Sequence, residues 1–497
     1  MLQFRRAVRM TAVMMAAALV LAACGDDADD PAPADDPAEE EVDEPADDPV
    51  DDEEAAEEPE PDPEPVEEGV TAVDVWIAFT DYRLDWLRDV ASEFNDMMDG
   101  YQITVQGYDN YEILFDSTIL AADQGNPPAI VQQFEAATTD ARDTLNPLTG
   151  DALFTSIEEA IAGRDEIMGV PVVLDDVVDI VAAYYTLDGS FTSMPWNTSS
   201  AIMFANTDMM EAGGVTEIPS TWQEMEAACE TIMGSDDAPS ACITWPNHGW
   251  FYEQSVAQQG QDLVNNGNGR DDTADEVLLT SDASLDYVQW WQDMNNAGYY
   301  VYSGTQRDWD GAYNAFAAQQ VPFVIYSSSD TTLLTNEGAE GGFEVVASFM
   351  PRNAESTDGG GNIIGGASMW LVDELDEDVT DVALAFLSYM INPENDADWH
   401  RVTGYIPVTD TAIDLLEGEG WFEENPNSRV ASEQLAAAPD TSATAGALFG
   451  NFVSIRNVIT EAIEDIIVND LDVAERMGQA NDDAQQLLEE YNLIYGG

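Results

Sequence analysis

Lysine is absent from this chain of 497 residues, whose 14 basic residues are all arginines and face 99 aspartates and glutamates. The formal net charge at pH 7 is -85. Such a polyanion repels the phosphate backbone of nucleic acid, which is therefore excluded as a partner. It also repels itself in dilute buffer, and at about 1 M salt, where the Debye length is about 3 Å, that repulsion largely vanishes. The composition is typical of a halophilic protein.

Histidine and cysteine are nearly as scarce. The two histidines are His248 and His400, and no group of histidines and cysteines has metal-ligand spacing. The glycine-rich motif of a nucleotide-binding P-loop does not occur. Carboxylates are so numerous that some pairs lie close by chance, so they do not indicate a glycosidase. The sequence therefore predicts a protein that is not an enzyme and has no cofactor or bound metal.

The N-terminus has the pattern of an export signal. Arg5, Arg6 and Arg9 precede an apolar run over residues 11–21, and the tetrapeptide Leu-Ala-Ala-Cys ends at Cys24. The run is too short to cross a bilayer, which takes about 20 residues. We expect residues 1–23 to be removed and Cys24 to be lipidated on the outer face of the cytoplasmic membrane. The alternative is an ordinary signal peptide with an incidental cysteine, and the export route, general or twin-arginine, stays open.

An acidic segment follows this cysteine. Residues 26–68 contain 24 acidic side chains and no basic ones, and proline and alanine make up most of the remainder. Such a chain cannot bury enough apolar surface to fold, and self-repulsion extends it. We therefore interpret residues 24–68 as a disordered tether that holds the folded body away from the membrane.

About 430 residues remain after the tether, and they keep 75 of the acidic residues and 11 of the arginines. This length exceeds the size at which a single hydrophobic core usually keeps growing. We expect two discontinuous lobes, approximately residues 69–190 with 330–375 and residues 191–329 with 376–497.

Two further cysteines, Cys229 and Cys242, are 13 residues apart. In an exported chain such a pair favours a disulfide, and closing a loop of this size contributes about 3 kcal/mol in the loop-entropy model. The alternative is two buried thiols, since spacing alone does not show whether the geometry permits the bond.

Hydrophobic periodicity predicts an alternation of strands and helices at the start of the body. The predicted elements are a strand over residues 70–79, a helix over 85–95, a strand over 101–105, a helix over 111–123 and a strand over 129–132. This run is typical of an α/β fold with an open parallel sheet, which binds ligands beyond the carboxyl ends of its strands. That rule draws attention to Glu135 and to the loop over residues 79–82.

Later segments continue the α/β pattern without an internal repeat. Strands are predicted over residues 202–205, 321–326 and 369–372, and helices over 379–391, 453–468 and 471–491. A further helix is predicted to begin after Thr221, because Glu224 three residues on completes a capping box.

Several short segments carry a family resemblance. They are residues 110–112, 125–130, 195–199, 362–370, 398–400, 403–407, 420–426, 450–451 and 455–456. In consistent order from about residue 70 to residue 491, the chain resembles the glycerol-3-phosphate and glycerophosphodiester-binding branch of the extracellular solute-binding proteins that serve ABC importers. The Gly-Asn-x-Pro segment recurs across sugar-binding relatives, whereas the Gly-Gly-Ala-Ser and Thr-Gly-Tyr segments together are more specific.

The resemblance implies a type II periplasmic-binding-protein fold, a monomer of two lobes that closes over one small ligand and docks on a membrane permease. Transferred motif by motif, the ligand-binding positions of the family are Tyr111, Glu135, Ser199, Trp250, Ser327, Gly366, Tyr405 and Arg456. These positions come from widely separated stretches, as a cleft between lobes requires.

Physical chemistry assigns roles to these side chains. A phosphate favours a guanidinium fork, hydroxyl donors and a close backbone N–H, which Arg456, Ser199, Ser327, Tyr405 and Gly366 would supply. Glu135 would repel phosphate, so we expect it at the glycerol end, where Tyr111 could also donate. Trp250 offers a flat apolar wall. The alternatives are a structural ion pair for Arg456 and a simple turn at the two glycines.

One position departs from the family pattern. The family places the ligand against two tryptophans three positions apart; Trp250 matches the second, and Asn247 stands where the first would be. We expect a roomier pocket on that side, which would tolerate a glycerophosphodiester. The competing expectation is that Trp245 or His248 replaces the missing ring.

The function expected from the resemblance is high-affinity capture of glycerol 3-phosphate or a glycerophosphodiester outside the cell and delivery to an ABC permease. Contact with the membrane would be through the lipid anchor only. One alternative is a carbohydrate- or polyol-binding protein of an ABC importer. Another is a surface interaction protein that keeps the fold without a transport role.

The acidic composition generates a test. We expect the purified body to lose secondary structure in dilute buffer and to regain it in about 1 M salt, because salt screens its self-repulsion. Circular dichroism across a salt titration measures this change. Full native structure and stability in dilute buffer would contradict the halophilic interpretation.

Overall fold

The computed structural model describes residue 66 and residues 69–187, 189–356 and 359–496. These residues belong to one compact unit. The predicted signal peptide, the lipidated Cys24 and, apart from residue 66, the acidic tether lie outside the described residues. No helix within the described ranges is both long and apolar enough to cross a membrane.

The strands and helices are numbered in chain order. The strands are β1 (Thr71–Ile77), β2 (Tyr101–Gly107), β3 (Ile130–Phe134), β4 (Phe154–Thr155), β5 (Glu166–Ile167), β6 (Val170–Pro171), β7 (Thr186–Leu187), β8 (Ser190–Phe191), β9 (Met194–Ser199), β10 (Ala201–Asn206), β11 (Ile243–Thr244), β12 (Phe323–Ser327), β13 (Val345–Phe349) and β14 (Gly365–Val372). The helices are α1 (Tyr82–Asn95), α2 (Tyr111–Asp123), α3 (Thr138–Asp143), α4 (Ile157–Ile161), α5 (Asp179–Tyr185), α6 (Thr207–Ala212), α7 (Trp222–Met233), α8 (Gly249–Gln258), the left-handed turn α9 (Asn265–Gly269), α10 (Asp282–Asn296), α11 (Trp309–Ala317), α12 (Thr331–Gly341), α13 (Glu377–Met390), α14 (Pro393–Thr403), α15 (Asp410–Glu419), α16 (Trp421–Glu424), α17 (Val430–Ala436), α18 (Ser442–Ala445), α19 (Phe452–Asn469) and α20 (Val473–Tyr495). Short 3-10 turns occur at Glu135–Ala137, Leu174–Asp176, Ser328–Asp330 and Pro426–Arg429.

The first sheet has the strand order β2-β1-β3-β14-β4, and β9 also pairs with β14. Strands β1, β2 and β3 are parallel, as the sequence predicted, and their ends lie within two residues of the predicted ones. Helix α2 begins and ends at the predicted residues. Strand β14 is antiparallel to β3, β4 and β9, so the complete sheet is mixed.

Side chains alternate along β1, which lies between β2 and β3, so that one face of the strand is buried. Val73, Val75 and Ile77 are wholly buried, whereas the residues between them are partly exposed. Helix α1 covers the buried face with Leu87 and Phe94, which belong to the same hydrophobic cluster. Burying side chains of this size contributes about 1.5–3 kcal/mol each, which is why the two elements pack together.

The second sheet has the order β11-β12-β10-β13, with β10 antiparallel to both β12 and β13. Only Ser200 separates β9 from β10, so the chain passes from one sheet to the other at this residue. Its N–H donates to Ser328 Oγ at 3.1 Å, and its carbonyl accepts from the Ser328 N–H at 2.9 Å. The crossing is therefore held against the end of β12.

Strand pairing divides the chain at other places than the predicted lobe boundaries. Strand β13 lies within residues 330–375, which the sequence assigns to the same lobe as residues 69–190, but it pairs in the second sheet. Helix α13 lies within residues 376–497, which the sequence assigns to the same lobe as residues 191–329. It packs instead on helix α1 and on strands β1 and β14 of the first sheet. Periodicity predicted the helix over residues 379–391 but not strand β13, and it carried no information about which sheet an element would join.

Cys229 of α7 and Cys242, which precedes β11, form a disulfide with their Cα atoms 5.4 Å apart. Both residues are fully buried. Of the two alternatives that the sequence left open, the structure contains the bonded one.

Stability should depend on pH through Asp140 of α3, whose carboxylate accepts the Asn451 N–H at 2.9 Å. Burial raises the pKa of Asp140 to about 7, so the folded protein binds this proton more readily than the unfolded chain. The ionised carboxylate therefore destabilises the fold above that pH, and the cost is lost as the pH falls. In molar salt we expect the melting temperature to rise between about pH 8 and about pH 6.

The matched variant is Asp140→Asn, which cannot ionise but keeps the acceptor for Asn451. It should melt about 2–5 °C above the wild type near pH 8 and gain less on acidification. Equal melting temperatures and equal pH dependence of the two proteins would show that Asp140 is not the titrating group. Thermal unfolding followed by circular dichroism in molar salt provides the measurement.

Candidate ligand-binding site

A cavity of about 700 Å³ lies beyond the carboxyl ends of β1 and β3, next to the point where the chain passes from β9 to β10. All eight residues that the resemblance singled out line it. They are Tyr111, Glu135, Ser199, Trp250, Ser327, Gly366, Tyr405 and Arg456. The structure thus brings together positions up to 345 residues apart in the sequence, from Tyr111 to Arg456, and their contact with a ligand stays a prediction.

The carboxyl ends of strands position three of these side chains. Glu135 directly follows β3, Ser199 is the last residue of β9, and Ser327 is the last residue of β12. Tyr111 is the first residue of α2, on the same edge of the first sheet. Glu135 and two residues after β1, Phe79 and Tyr82, therefore line a cavity at the edge where the general rule for open α/β sheets predicts a ligand.

Gly365 and Gly366 open strand β14 and are not a separate turn. A Cβ on Gly365 would overlap the ring of Trp250. Gly366 has a φ of +96°, and a Cβ there would overlap the carbonyl of Asn197. Both glycines are therefore required by packing, and Gly366 also exposes backbone to the cavity.

An aromatic wall closes one side of the cavity. Trp250 of α8 and Trp309 at the start of α11 have ring centroids 6.4 Å apart. His248 lies 5.7 Å from Trp309, and its Nδ1 accepts the Trp250 N–H at 3.1 Å. Sequence analysis missed Trp309, because nothing in its local pattern distinguishes it from other aromatic residues at helix starts.

Asn247 lies behind this wall and is not among the residues that line the cavity. It is 1% exposed, and its Nδ2 donates to the carbonyl of Thr460 at 3.2 Å. The expected extra room at Asn247 is therefore not supported. Of the two candidate replacements, His248 lines the cavity, whereas Trp245 stacks on Trp290 at 5.5 Å within the core.

A buried ion triad joins Arg456 to two carboxylates. Arg456 donates from Nε and Nη2 to the two oxygens of Glu253 at 2.7 and 2.6 Å, and from Nη2 to Glu135 at 2.6 Å. Burial disfavours the charged guanidinium, but the two carboxylates outweigh it and raise the pKa of Arg456 further. Burial raises the pKa of Glu253 to about 7, against the opposing effect of Arg456.

This triad corrects two expectations. Glu135 does not lie at an end of the cavity remote from Arg456, since the two are in direct contact. The Nε and Nη2 edge of Arg456 is also not a free fork, because Glu253 occupies it. The structural ion pair considered as an alternative for Arg456 is therefore present, and Glu253 is a partner that sequence analysis did not identify.

Two more arginines line the cavity, and both are paired. Arg83 bonds to Asp81 at 2.5 Å and lies 4.5 Å from the ring centroid of Phe79. Arg307 bonds to Glu112 at 3.1 Å. Neither arginine was singled out from the sequence, because each belongs to a loop or helix start without a distinguishing motif.

Neutral hydroxyl groups complete the lining. Tyr111 Oη accepts from Asn197 Nδ2 at 3.0 Å, which leaves its own hydrogen available to donate. Ser327 Oγ accepts the Ser329 N–H at 3.2 Å. Burial raises the pKa of Tyr111 and of Tyr405, so both phenols remain protonated donors. The cavity therefore combines hydroxyl donors, paired arginines and an apolar wall.

Comparison with known proteins identifies the family. Residues 89–430 match the family profile described as bacterial extracellular solute-binding protein. This chain belongs to that family. The sn-glycerol-3-phosphate-binding periplasmic protein UgpB of Yersinia pseudotuberculosis is 29% identical over 403 residues, which cover 80% of this chain and 87% of the relative. UgpB of Escherichia coli O1:K1 is 27% identical over 433 residues, with coverage of 85% and 94%.

Solved structures confirm the predicted solute-binding fold. UgpB of Mycobacterium tuberculosis in complex with glycerophosphocholine superposes with a TM-score of 0.69 at 18% identity, covering 85% of this chain and 99% of the other. The cyclic alpha-maltosyl-1,6-maltose binding protein of Arthrobacter globiformis gives 0.66 at 18% identity, covering 85% and 100%. At these identities the likeness concerns the fold, a two-lobed α/β architecture.

Asn247 offers a test of the wall in this solute-binding protein. Because the residue is buried and outside the cavity, Asn247→Trp would overpack the core and lower stability by about 1–3 kcal/mol. We expect a lower melting temperature and an unchanged ratio of affinities for glycerol 3-phosphate and glycerophosphocholine. A well-folded variant with a changed ratio would mean that position 247 reaches the ligand. Differential scanning fluorimetry and calorimetric titration provide the two readouts.

Proposed function

We propose that this protein captures a glycerol phosphate or a glycerophosphodiester outside the cell and delivers it to an ABC importer. The observation that carries the proposal is the convergence of the eight family-matched positions, from Tyr111 to Arg456, on one cavity. The names of the relatives support the same ligand class, since those proteins are glycerol-3-phosphate-binding proteins. The function is binding and release, without catalysis.

The side chains of the lining suit a polar ligand that carries a phosphate group. Ser199, Ser327, Tyr111 and Tyr405 offer hydroxyl groups to phosphate and glycerol oxygens. Arg456 retains Nη1, for which no described residue serves as acceptor. The flat faces of Trp250 and Trp309 suit the carbon skeleton of the ligand or a second substituent on its phosphate.

A carbohydrate or polyol is the second candidate ligand. Structural neighbours at TM-scores of 0.66 and 0.68 are described by maltose-type ligands, and paired aromatic rings with hydroxyl donors also suit a sugar. The three arginines at the cavity favour the phosphate compound over this alternative. A surface protein without a transport role stands as the alternative from another class.

Location and assembly complete the proposal. We infer that the mature chain begins at a lipidated Cys24, that residues 24–68 form a tether, and that the body is a monomer that docks on a permease. Two lobes, divided according to the sheets described above, would close on the ligand. The acidic body would work in brine, because salt screens its self-repulsion.

Calorimetry in molar salt tests the ligand class. Titration with glycerol 3-phosphate, glycerophosphocholine and maltose should give micromolar or tighter binding for at least one phosphate compound and none for maltose. Trp250→Ala should weaken that binding by about tenfold or more, since one face of the wall is lost. Binding of maltose alone would favour the carbohydrate alternative, and binding of none of the three would contradict the proposal.

A further inference from the structure

Glu253 is a buried acid directly behind the cavity. It lies in α8, is 1% exposed and is not among the residues that line the cavity. Both of its carboxylate oxygens accept from Arg456, at 2.7 and 2.6 Å. Nothing in the sequence pattern singled it out, yet it accepts two of the three hydrogen bonds that Arg456 donates to carboxylates.

We propose that Glu253 determines the charge of the phosphate that the cavity accepts, favouring a phosphodiester with one negative charge over a phosphomonoester with two. The inference rests on the proposed function and narrows its ligand class. In this proposal Glu253 acts on the ligand through Arg456 and does not contact it. Glu253 is therefore a positioning residue that determines specificity.

The first argument is the charge of the triad. At about pH 8, Arg456 carries one positive charge, and Glu135 and Glu253 together carry two negative ones within 2.7 Å of it. The other two arginines of the lining, Arg83 and Arg307, each pair with a carboxylate. With no unpaired cation among the described lining residues, a second negative charge on the ligand meets a field that opposes it.

The second argument is the geometry of the guanidinium. A strong contact with a phosphate dianion uses two parallel N–H bonds from one edge of arginine. Glu253 occupies the Nε and Nη2 edge, and Nη2 also donates to Glu135. Only Nη1 is left without an acceptor among the described residues, so Arg456 offers the ligand a reduced contact that suits a monoanion.

The wild-type protein tests the inference without any substitution. Glycerol 3-phosphate and its monomethyl ester, glycerophosphomethanol, share the glycerol phosphate core but differ by one charge near pH 8, where the second pKa of about 6 leaves the monoester a dianion. Calorimetry at about pH 8 in molar salt should show the ester binding at least about tenfold more tightly. Equal or tighter binding of the monoester would overturn the inference while leaving the proposed function standing. Absence of binding by either compound would overturn both.

A pair of variants then assigns the effect to Glu253. Glu253→Gln removes one negative charge from behind Arg456, and Glu461→Gln removes the same charge from an exposed position of α19, the helix that carries Arg456. Glu253→Gln should shift the affinity ratio toward the monoester by about tenfold, whereas Glu461→Gln should leave it unchanged. An unchanged ratio in a folded Glu253→Gln protein, or equal shifts in both variants, would overturn the assignment. If Glu253→Gln does not fold, the wild-type ratio still decides the charge preference.

Discussion

The buried triad of Arg456, Glu135 and Glu253 is the interaction on which the arrangement around the cavity depends. It joins helix α19, the end of strand β3 and helix α8, which are far apart in the sequence. Removing one partner from such a group leaves an unpaired buried charge, which typically costs about 3–5 kcal/mol. Loss of one partner would therefore weaken the packing of these three elements around the cavity.

A second buried network places the hydroxyl donors. The Ala78 N–H donates to Gln132 Oε1 at 2.6 Å, Gln132 Nε2 donates to Asn197 Oδ1 at 2.9 Å, and Asn197 Nδ2 donates to Tyr111 Oη at 3.0 Å. The first link joins the residue after β1 to β3, the second runs from β3 to β9 across β14, and the third runs from β9 to α2. Because buried polar groups are costly when unpaired, the chain of bonds holds Tyr111 at the cavity without using the hydrogen that a ligand would accept.

The position of the arginines explains how an acidic protein would bind an anionic ligand. Three of the eleven arginines outside the predicted signal peptide line the cavity, so the few cations are concentrated where a phosphate would bind. Each of them nevertheless pairs with an acid, as do Arg164, Arg401 and Arg429 elsewhere. Arginine suits this use because its planar fork binds carboxylates in fixed geometry, which a lysine ammonium does not. High external salt would lower the long-range repulsion that the remaining acids impose on the ligand.

The sequence by itself determined the elements and the family. Periodicity predicted the ends of β1, β2, β3 and α2 to within two residues. Apolar side chains recur at every second position in a strand and at every third or fourth position in a helix, and this spacing is visible in the local sequence. The resemblance identified eight positions that line the cavity, although they lie in different settings: Glu135, Ser199 and Ser327 at strand ends, Tyr405 in the loop after α14 and Arg456 within α19.

Only the tertiary structure decided which side chains meet. It joined Cys229 to Cys242, placed β13 in the second sheet, brought Trp309 to the wall in place of the expected opening at Asn247, and set Glu253 against Arg456. These outcomes depend on contacts between residues distant in the chain. In a sequence with 99 acidic residues, no local pattern indicates which carboxylate will pair with a given arginine. The packing of whole helices and strands determines the pairing.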